Sequence, residues 1–134
     1  MAVSAELKWT DGLQFMARAD GSPAVVLDNH EGGSGPTPME MVLMGAAGCT
    51  AMDVISIMKK KRMPVERFEV TIDGDQAEDH PKRYTAIRIM YTFIGKGVKP
   101  EAVERAIDLS QNKYCSVMAS LNADVAYAYE IREE

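Results

Sequence analysis

At 134 residues, with 46% hydrophobic and 26% charged residues, the chain has the size and composition of one globular domain spanning 1–134, not of a disordered segment. Its net charge of −5 argues against a dominant nucleic-acid surface, because phosphate binding needs a positive face. The concentrated basic run Lys59-Lys60-Lys61-Arg62 follows an apolar helical stretch and suits the negative end of that helix's dipole.

The N-terminal third has the pattern of strands. Val3, Ala5, Leu7 and Trp9 alternate with more polar neighbours, and Thr10-Asp11-Gly12 turns the chain into Leu13, Phe15 and Ala17, the signature of a hairpin. A second turn at Asp20-Gly21-Ser22-Pro23 precedes the apolar run 24–27, so three strands are expected before any helix. No basic segment leads into an apolar core here, so a cytoplasmic protein without a secretory signal is expected. Residues 28–36 switch to Gly, Ser, Asn, Glu and His and form a loop.

The first helix opens on Thr37 as N-cap, Pro38 in the first turn and Glu40 three residues after the cap, which is a capping box. It should run to about Arg62, with Pro64 as its stop. The stretch 41–58 is apolar, but Thr50, Asp53 and Ser56 interrupt it, and a hydrocarbon-spanning helix rarely carries such an aspartate. A helix buried on most sides of a soluble protein, with no membrane partner, is the expectation. Gly45 and Gly48 weaken helix propensity by about 1 kcal/mol each, and together with Ala46, Ala47 and Ala51 they leave a groove where another backbone can approach.

Beyond Pro64, Phe68, Val70 and Ile72 alternate up to a polar turn at Asp73-Gly74-Asp75. In the strand that follows, Ile87, Ile89, Tyr91 and Phe93 point one way while Arg88, Met90, Thr92 and Ile94 point the other, and the two strands should pair. Gly95-Lys96-Gly97 breaks the pattern. Pro100 begins a second helix whose Val103, Ala106, Ile107 and Ser110 share a face, with Glu101 and Arg105 at a favourable i,i+4 spacing. That helix should end near 111–113, a short third helix should cover 116–121, and Val125, Tyr127, Tyr129 and Ile131 alternate as a final strand. The order β-β-β-α-β-β-α-α-β lacks an alternating βαβ series and favours an α+β domain over a doubly wound sheet.

Few residues offer chemistry. His30, Cys49, His80 and Cys115 lack the close spacing of a zinc site, so no metal is expected. Gly32-Gly33-Ser34-Gly35 lacks the lysine of a phosphate-binding loop and the spacing of a dinucleotide fingerprint, so no nucleotide or other cofactor is expected. The two cysteines stand 66 residues apart, and such a pair has no motif value of its own. Cys49 falls well inside the first helix with Asp53 one turn beyond, a setting in which neither the dipole nor the aspartate favours a thiolate. Cys115 begins the third helix two residues after Lys113, which lowers a thiol pKa, so local physics nominates Cys115 as the readier nucleophile.

The run Gly35-Pro36-Thr37-Pro38-Met39-Glu40-Met41-Val42-Leu43-Met44-Gly45-Ala46-Ala47-Gly48-Cys49 resembles the signature helix of the OsmC/Ohr family, the osmotically inducible and organic hydroperoxide resistance proteins. Lys113-Tyr114-Cys115-Ser116-Val117 resembles that family's second cysteine site, and the element order matches along nearly the whole chain. The resemblance implies an OsmC-like fold in an intertwined homodimer, with the N-terminal strands joining the partner's sheet and the long cysteine-bearing helices packed centrally. It also implies a thiol-dependent peroxidase: Cys49 attacks an organic hydroperoxide and becomes a sulfenic acid, Cys115 condenses with it to a disulfide, and a dithiol reductant regenerates the pair. In the peroxidase branches a glutamate directly follows the helix-opening proline and holds an arginine against the reactive thiol. Here Met39 follows Pro38, and Glu40 is displaced by one position, about 100° around the helix. Arg18, Arg83 and Arg88 are the candidates for an activating arginine. The departure at Met39 keeps a second reading open, in which the protein is a non-catalytic module holding a small apolar or electrophilic metabolite at the dimer groove. The ten methionines suit an apolar pocket as well as plain core.

Overall fold

A computed structural model describes residues 1–134 and has an α+β architecture with two three-stranded sheets. Its elements are β1 (Ala5–Asp11), β2 (Gln14–Ala19), β3 (Val25–Leu27), α1 (Pro38–Lys60), β4 (Arg67–Gln76), β5 (Tyr84–Ile94), α2 (Pro100–Leu109), α3 (Ser116–Ala119) and β6 (Asp124–Arg132), with a π-helical turn over Ser110–Tyr114 between α2 and α3. The expected order of strands and helices is present throughout. The chain divides into two compact units, Met1–Val42 and Leu43–Glu134.

In the first unit, β1, β2 and β3 form an antiparallel meander. Every residue of β1 is exposed, including Leu7 and Trp9. The loop after β3 folds around Asp28, whose carboxylate accepts hydrogen bonds from the N–H of Asn29 (2.7 Å), the N–H of Ser34 (3.2 Å) and the Ser34 hydroxyl (2.5 Å). Those bonds, led by the Ser34 hydroxyl, hold the Asp28 carboxyl below its ordinary range. The Asn29 and Ser34 donors of the loop are thus turned inward onto this carboxylate. The capping box forms reciprocally: Thr37 N–H donates to Glu40 Oε1 at 2.9 Å, and Glu40 N–H donates to Thr37 Oγ1 at 3.1 Å.

In the second unit, β4 and β5 pair antiparallel and β5 and β6 pair parallel, the crossover between them being carried by α2 and α3. The expected turn at Asp73-Gly74-Asp75 does not occur; β4 continues straight through it. Gly74 pairs with Ile87, and a Cβ there would sit 2.9 Å from the Tyr84 ring, so the glycine serves close packing. The flanking carboxylates of Asp73 and Asp75 both bind Arg88 on the neighbouring strand. Cross-strand pairing thus overrides the local turn composition.

The two faces of β5 separate as the alternation predicts. Ile87, Ile89, Tyr91 and Phe93 are buried, Arg88 and Met90 are exposed, and only toward the strand's end do Thr92 and Ile94 become covered on the second face as well. Phe68 stacks on Phe93 with ring centroids 4.8 Å apart. On α1 the fully buried residues are Ala46, Thr50, Val54 and Met58, one stripe at a spacing of four. The expectation of a helix buried on most sides is therefore corrected for the single chain: Met44 and Met52 stand exposed, and a Cβ at Gly45 or Gly48 would meet nothing within 4 Å. By length and composition α1 could cross a membrane, but its buried stripe packs against protein.

The helix ends two residues before the expected Arg62. Met63 N–H donates to Met58 O and Arg62 N–H to Lys59 O, each at 3.0 Å, while Arg62 takes φ 57°. This is a Schellman cap with arginine in the left-handed position usually given to glycine. On α2, Arg105 pairs with Asp108 at 3.8 Å and not with Glu101.

Candidate functional site

The geometry of α1 and of the π-helical turn decides what meets at the thiols. Cys49 and Asp53 are i and i+4 on α1 and so lie one above the other on a single face. In the π-helical turn after α2, Cys115 N–H donates to Ser110 O five residues back at 2.8 Å, which widens the backbone and delivers Cys115 at the start of α3. The Sγ atoms of Cys49 and Cys115 and a carboxylate oxygen of Asp53 all lie within 4.8 Å of one another, and both cysteines are free thiols.

The two sulfurs differ in environment. Cys49 is half-buried, whereas Cys115 is 4% exposed. Burial pushes the Cys115 thiol up to about 11, with further upward effects from the neighbouring Cys49 and Asp53 and a partial offset from the Met118 backbone. This corrects the expectation that Cys115 is the readier nucleophile. α3 has only four residues, too short for a dipole to outweigh desolvation, and the Lys113 ammonium lies over the Tyr114 ring, 5.2 Å from its centroid. Accessibility now favours Cys49 as the first thiol to meet an electrophile.

Each of the three candidate arginines has partners of its own, and no basic group is among those that shift the Cys115 thiol. Arg88 forks onto Asp75 at 2.9 and 3.0 Å and also binds Asp73. Arg83 donates to the carbonyls of Tyr84 (3.1 Å) and Asn122 (2.6 Å), and Arg18 pairs with Glu6 at 3.2 Å. Met39 occupies the first turn of α1, half-buried, and Glu40 is committed to the cap.

What stands behind the thiols instead is a chain of buried hydroxyls. Ser110 Oγ donates to Asp53 Oδ2 at 3.0 Å, Thr50 Oγ1 lies 2.8 Å from Ser110 Oγ and 2.7 Å from the Tyr91 hydroxyl, and Gln111 Nε2 donates to that hydroxyl at 2.8 Å. Each hydroxyl has one proton to give, and a carboxylate only accepts. With the Ser110 proton committed to Asp53, Thr50 must donate to Ser110, and Tyr91 must donate to Thr50. The order is then Gln111, Tyr91, Thr50, Ser110, Asp53, all donors aimed toward the carboxylate beside the sulfurs. Burial raises the Tyr91 phenol above its ordinary value, which keeps it a donor.

Thr50, Tyr91, Ser110 and Gln111 were not among the sequence candidates, although three of them carried a signal. Each of Thr50, Tyr91 and Ser110 occupies a buried face of its element, and a buried hydroxyl needs a partner. Asp53, four residues after Cys49, adds a carboxylate to the two thiols that histidine and cysteine spacing alone does not reveal. His30 and His80 are both exposed and neither joins the cluster.

Beside Asp53 a groove of about 620 Å³ is walled by Met52, Ile57, Leu109 and Tyr114, with Lys60 and Lys61 also on its lining. It offers an apolar surface that reaches the carboxylate neighbouring both sulfurs.

The sequence pattern of the OsmC-like protein family matches residues 31–130. Protein YhfA of Escherichia coli strain K12 is 38% identical over 131 residues, covering 96% of this chain and 98% of YhfA. A hypothetical protein from Aquifex aeolicus VF5 superimposes with a TM-score of 0.84 at 31% identity, covering 99% of each chain. The organic hydroperoxide resistance protein OhrB of Bacillus subtilis superimposes with a TM-score of 0.64 over 97% of this chain and 98% of its own, at 14% identity, a likeness of fold.

Proposed function

The chain belongs to the OsmC-like protein family, and on that premise we propose that it is a cytoplasmic, homodimeric thiol peroxidase that reduces organic hydroperoxides, its 134 residues acting as one OsmC-like domain. The observation that carries this reading is the meeting of two reduced sulfurs, remote in sequence, within 4.8 Å, one accessible and the other buried. The Cys49 thiolate attacks the terminal oxygen of ROOH; the O–O bond breaks, the alkoxide leaves with a proton as ROH, and Cys49 becomes a sulfenic acid. Cys115 then attacks that sulfur as its own proton leaves, water departs, and a Cys49–Cys115 disulfide remains. A dithiol supplies the two electrons that restore the pair. Bonding requires the sulfurs to close from within 4.8 Å to about 2.05 Å. Asp53 sits where it can take and return protons at either sulfur, and the groove along Met52, Ile57, Leu109 and Tyr114 suits an apolar peroxide body.

The homodimer is supported by what the single chain leaves uncovered: Leu7 and Trp9 on β1, and on α1 Met44 and the open positions at Gly45 and Gly48.

The decisive experiment mixes the reduced protein with cumene hydroperoxide in a stopped-flow instrument. One peroxide should be consumed per cysteine pair, with a Cys49–Cys115 disulfide as product; Cys49→Ser should abolish consumption, and Cys115→Ser should stop at a persistent sulfenic acid. Oxidation no faster than that of free cysteine would refute the peroxidase reading. It would leave the alternative, a module holding an apolar or electrophilic ligand, which the buried, high-pKa Cys115 and the absence of a basic group acting on it favour.

A further inference from the structure

We propose that Cys49, Asp53 and Cys115 form a three-ligand site for a thiophilic divalent cation, Zn²⁺, and that the metal masks the thiols when bound. Zinc takes thiolate sulfur at about 2.3 Å and carboxylate oxygen at about 2.0–2.2 Å in tetrahedral geometry, which places neighbouring donors roughly 3.5–3.8 Å apart. The three donor atoms already lie within 4.8 Å of one another. Closing onto a metal asks each donor pair to approach by at most about 1.3 Å.

Two further observations point to a cation. Asp53 makes no ion pair with a lysine, arginine or histidine, so a half-buried carboxylate stands beside two thiols with the Ser110 hydroxyl donating to it. Its Oδ2 is held by the Ser110 hydroxyl at 3.0 Å, behind which Thr50 and Tyr91 are already fixed. A ligating carboxylate steadied by an outer hydrogen bond is the arrangement found around metal ligands. Three protein ligands leave the fourth position for water or an incoming donor.

Binding is a proton-releasing exchange: the two thiols give up their protons, two S–Zn bonds form, and no electrons move. The thiolates so held have lone pairs committed to the metal and do not attack a peroxide. Metal binding itself stands without the peroxidase reading; only the masking of oxidation rests on it.

Co²⁺ serves as the optical probe on the reduced, chelator-treated full chain, followed by displacement with Zn²⁺ against a chromophoric chelator. The expected result is one Co²⁺ per chain with thiolate-to-metal charge transfer and intense tetrahedral d–d bands, bleached by one equivalent of Zn²⁺, with about two protons released per metal at neutral pH. Cys49→Ser and Cys115→Ser should each lose about half of the charge-transfer intensity of any Co²⁺ still bound and at least about 100-fold in Zn²⁺ affinity, and Asp53→Asn at least about 10-fold. No Co²⁺ spectrum in the unmutated protein, or affinity unchanged in any of the three variants, would overturn the proposal. Peroxide consumption by the metal-free protein separates the two ideas: an active enzyme that binds no cobalt sinks the metal site alone, and an inert protein with the full cobalt spectrum sinks the peroxidase reading alone. If both hold, stoichiometric Zn²⁺ should slow peroxide consumption at least about 10-fold, and a chelator should restore it.

Discussion

The hydroxyl chain behind the thiols makes a quantitative prediction at Thr50. This residue is fully buried and is the middle link, donating to Ser110 and accepting from Tyr91. Thr50→Val keeps the volume and the β-branch but removes the oxygen, so it opens no cavity and leaves Ser110, Tyr91 and the Gln111 amide, which donates to Thr50 Oγ1 at 3.4 Å, each short of a partner. Ser110 loses an incoming donor while keeping its bond to Asp53, and Tyr91 loses its acceptor while keeping the donor from Gln111. A buried donor without an acceptor costs about 1–3 kcal/mol, and a lost neutral hydrogen bond about 0.5–1.5 kcal/mol. The expected loss is about 2–3 kcal/mol, which for a chain of this length corresponds to a fall of roughly 6–12 °C in melting temperature. Tyr91→Phe removes the link between Gln111 and Thr50; Gln111 is half-exposed and keeps its 3.4 Å bond to Thr50 Oγ1, so the cost should be about 1 kcal/mol. The pair should also be non-additive, with a coupling of about 1 kcal/mol in a double-mutant cycle. Urea denaturation of the reduced protein at fixed concentration measures all three. A Thr50→Val cost below about 0.5 kcal/mol, or a Tyr91→Phe cost larger than it, would refute the assigned direction and the importance of the chain.

Alkylation should distinguish the sulfurs: iodoacetamide labels the accessible Cys49 first, while native Cys115, pushed up to about 11, carries roughly one thiolate in 10⁴ at pH 7 and reacts appreciably only toward pH 11. Peptide mass spectrometry after timed labelling reads the order, and faster labelling of Cys115 at neutral pH contradicts its burial. In the first unit, Asp28 has a depressed carboxyl, so its contribution to stability is present above the ordinary carboxylate pKa and is lost as pH falls through the lower folded value. Asp28→Asn should flatten that acid-side decline and speed amide exchange at Ser34, which hydrogen-exchange NMR follows. A second copy packed on α1 would meet the open positions, so Gly45→Leu should shift the protein from dimer to monomer in sedimentation while leaving the far-ultraviolet circular dichroism unchanged. An unaltered dimer would place the interface elsewhere.

The features that sequence reasoning reached correctly rest on near neighbours. The capping box depends on residues three apart, Pro100 acts within one turn, and the two-residue alternation in β5 needs only the pleat to send Tyr91 inward and Arg88 out. The placement of Cys49 and Asp53 on one helical face follows equally from a spacing of four. Family resemblance supplied the pairing of Cys49 with Cys115, which nothing in their spacing implies.

Long-range packing decided the rest, often against the local signal. Asp73-Gly74-Asp75 has turn composition, yet Tyr84 packing over Gly74 and Arg88 bridging both aspartates draw it into β4. Cys115 begins a helix after a lysine, yet enclosure by the fold costs the thiolate more than that short helix returns. Local chemistry sets which conformations and faces a segment prefers, because torsions and i,i+4 contacts act within a turn. Whether two remote side chains touch, and how much water remains around them, depends on the summed burial of segments far apart in the chain, a quantity no single window of residues contains.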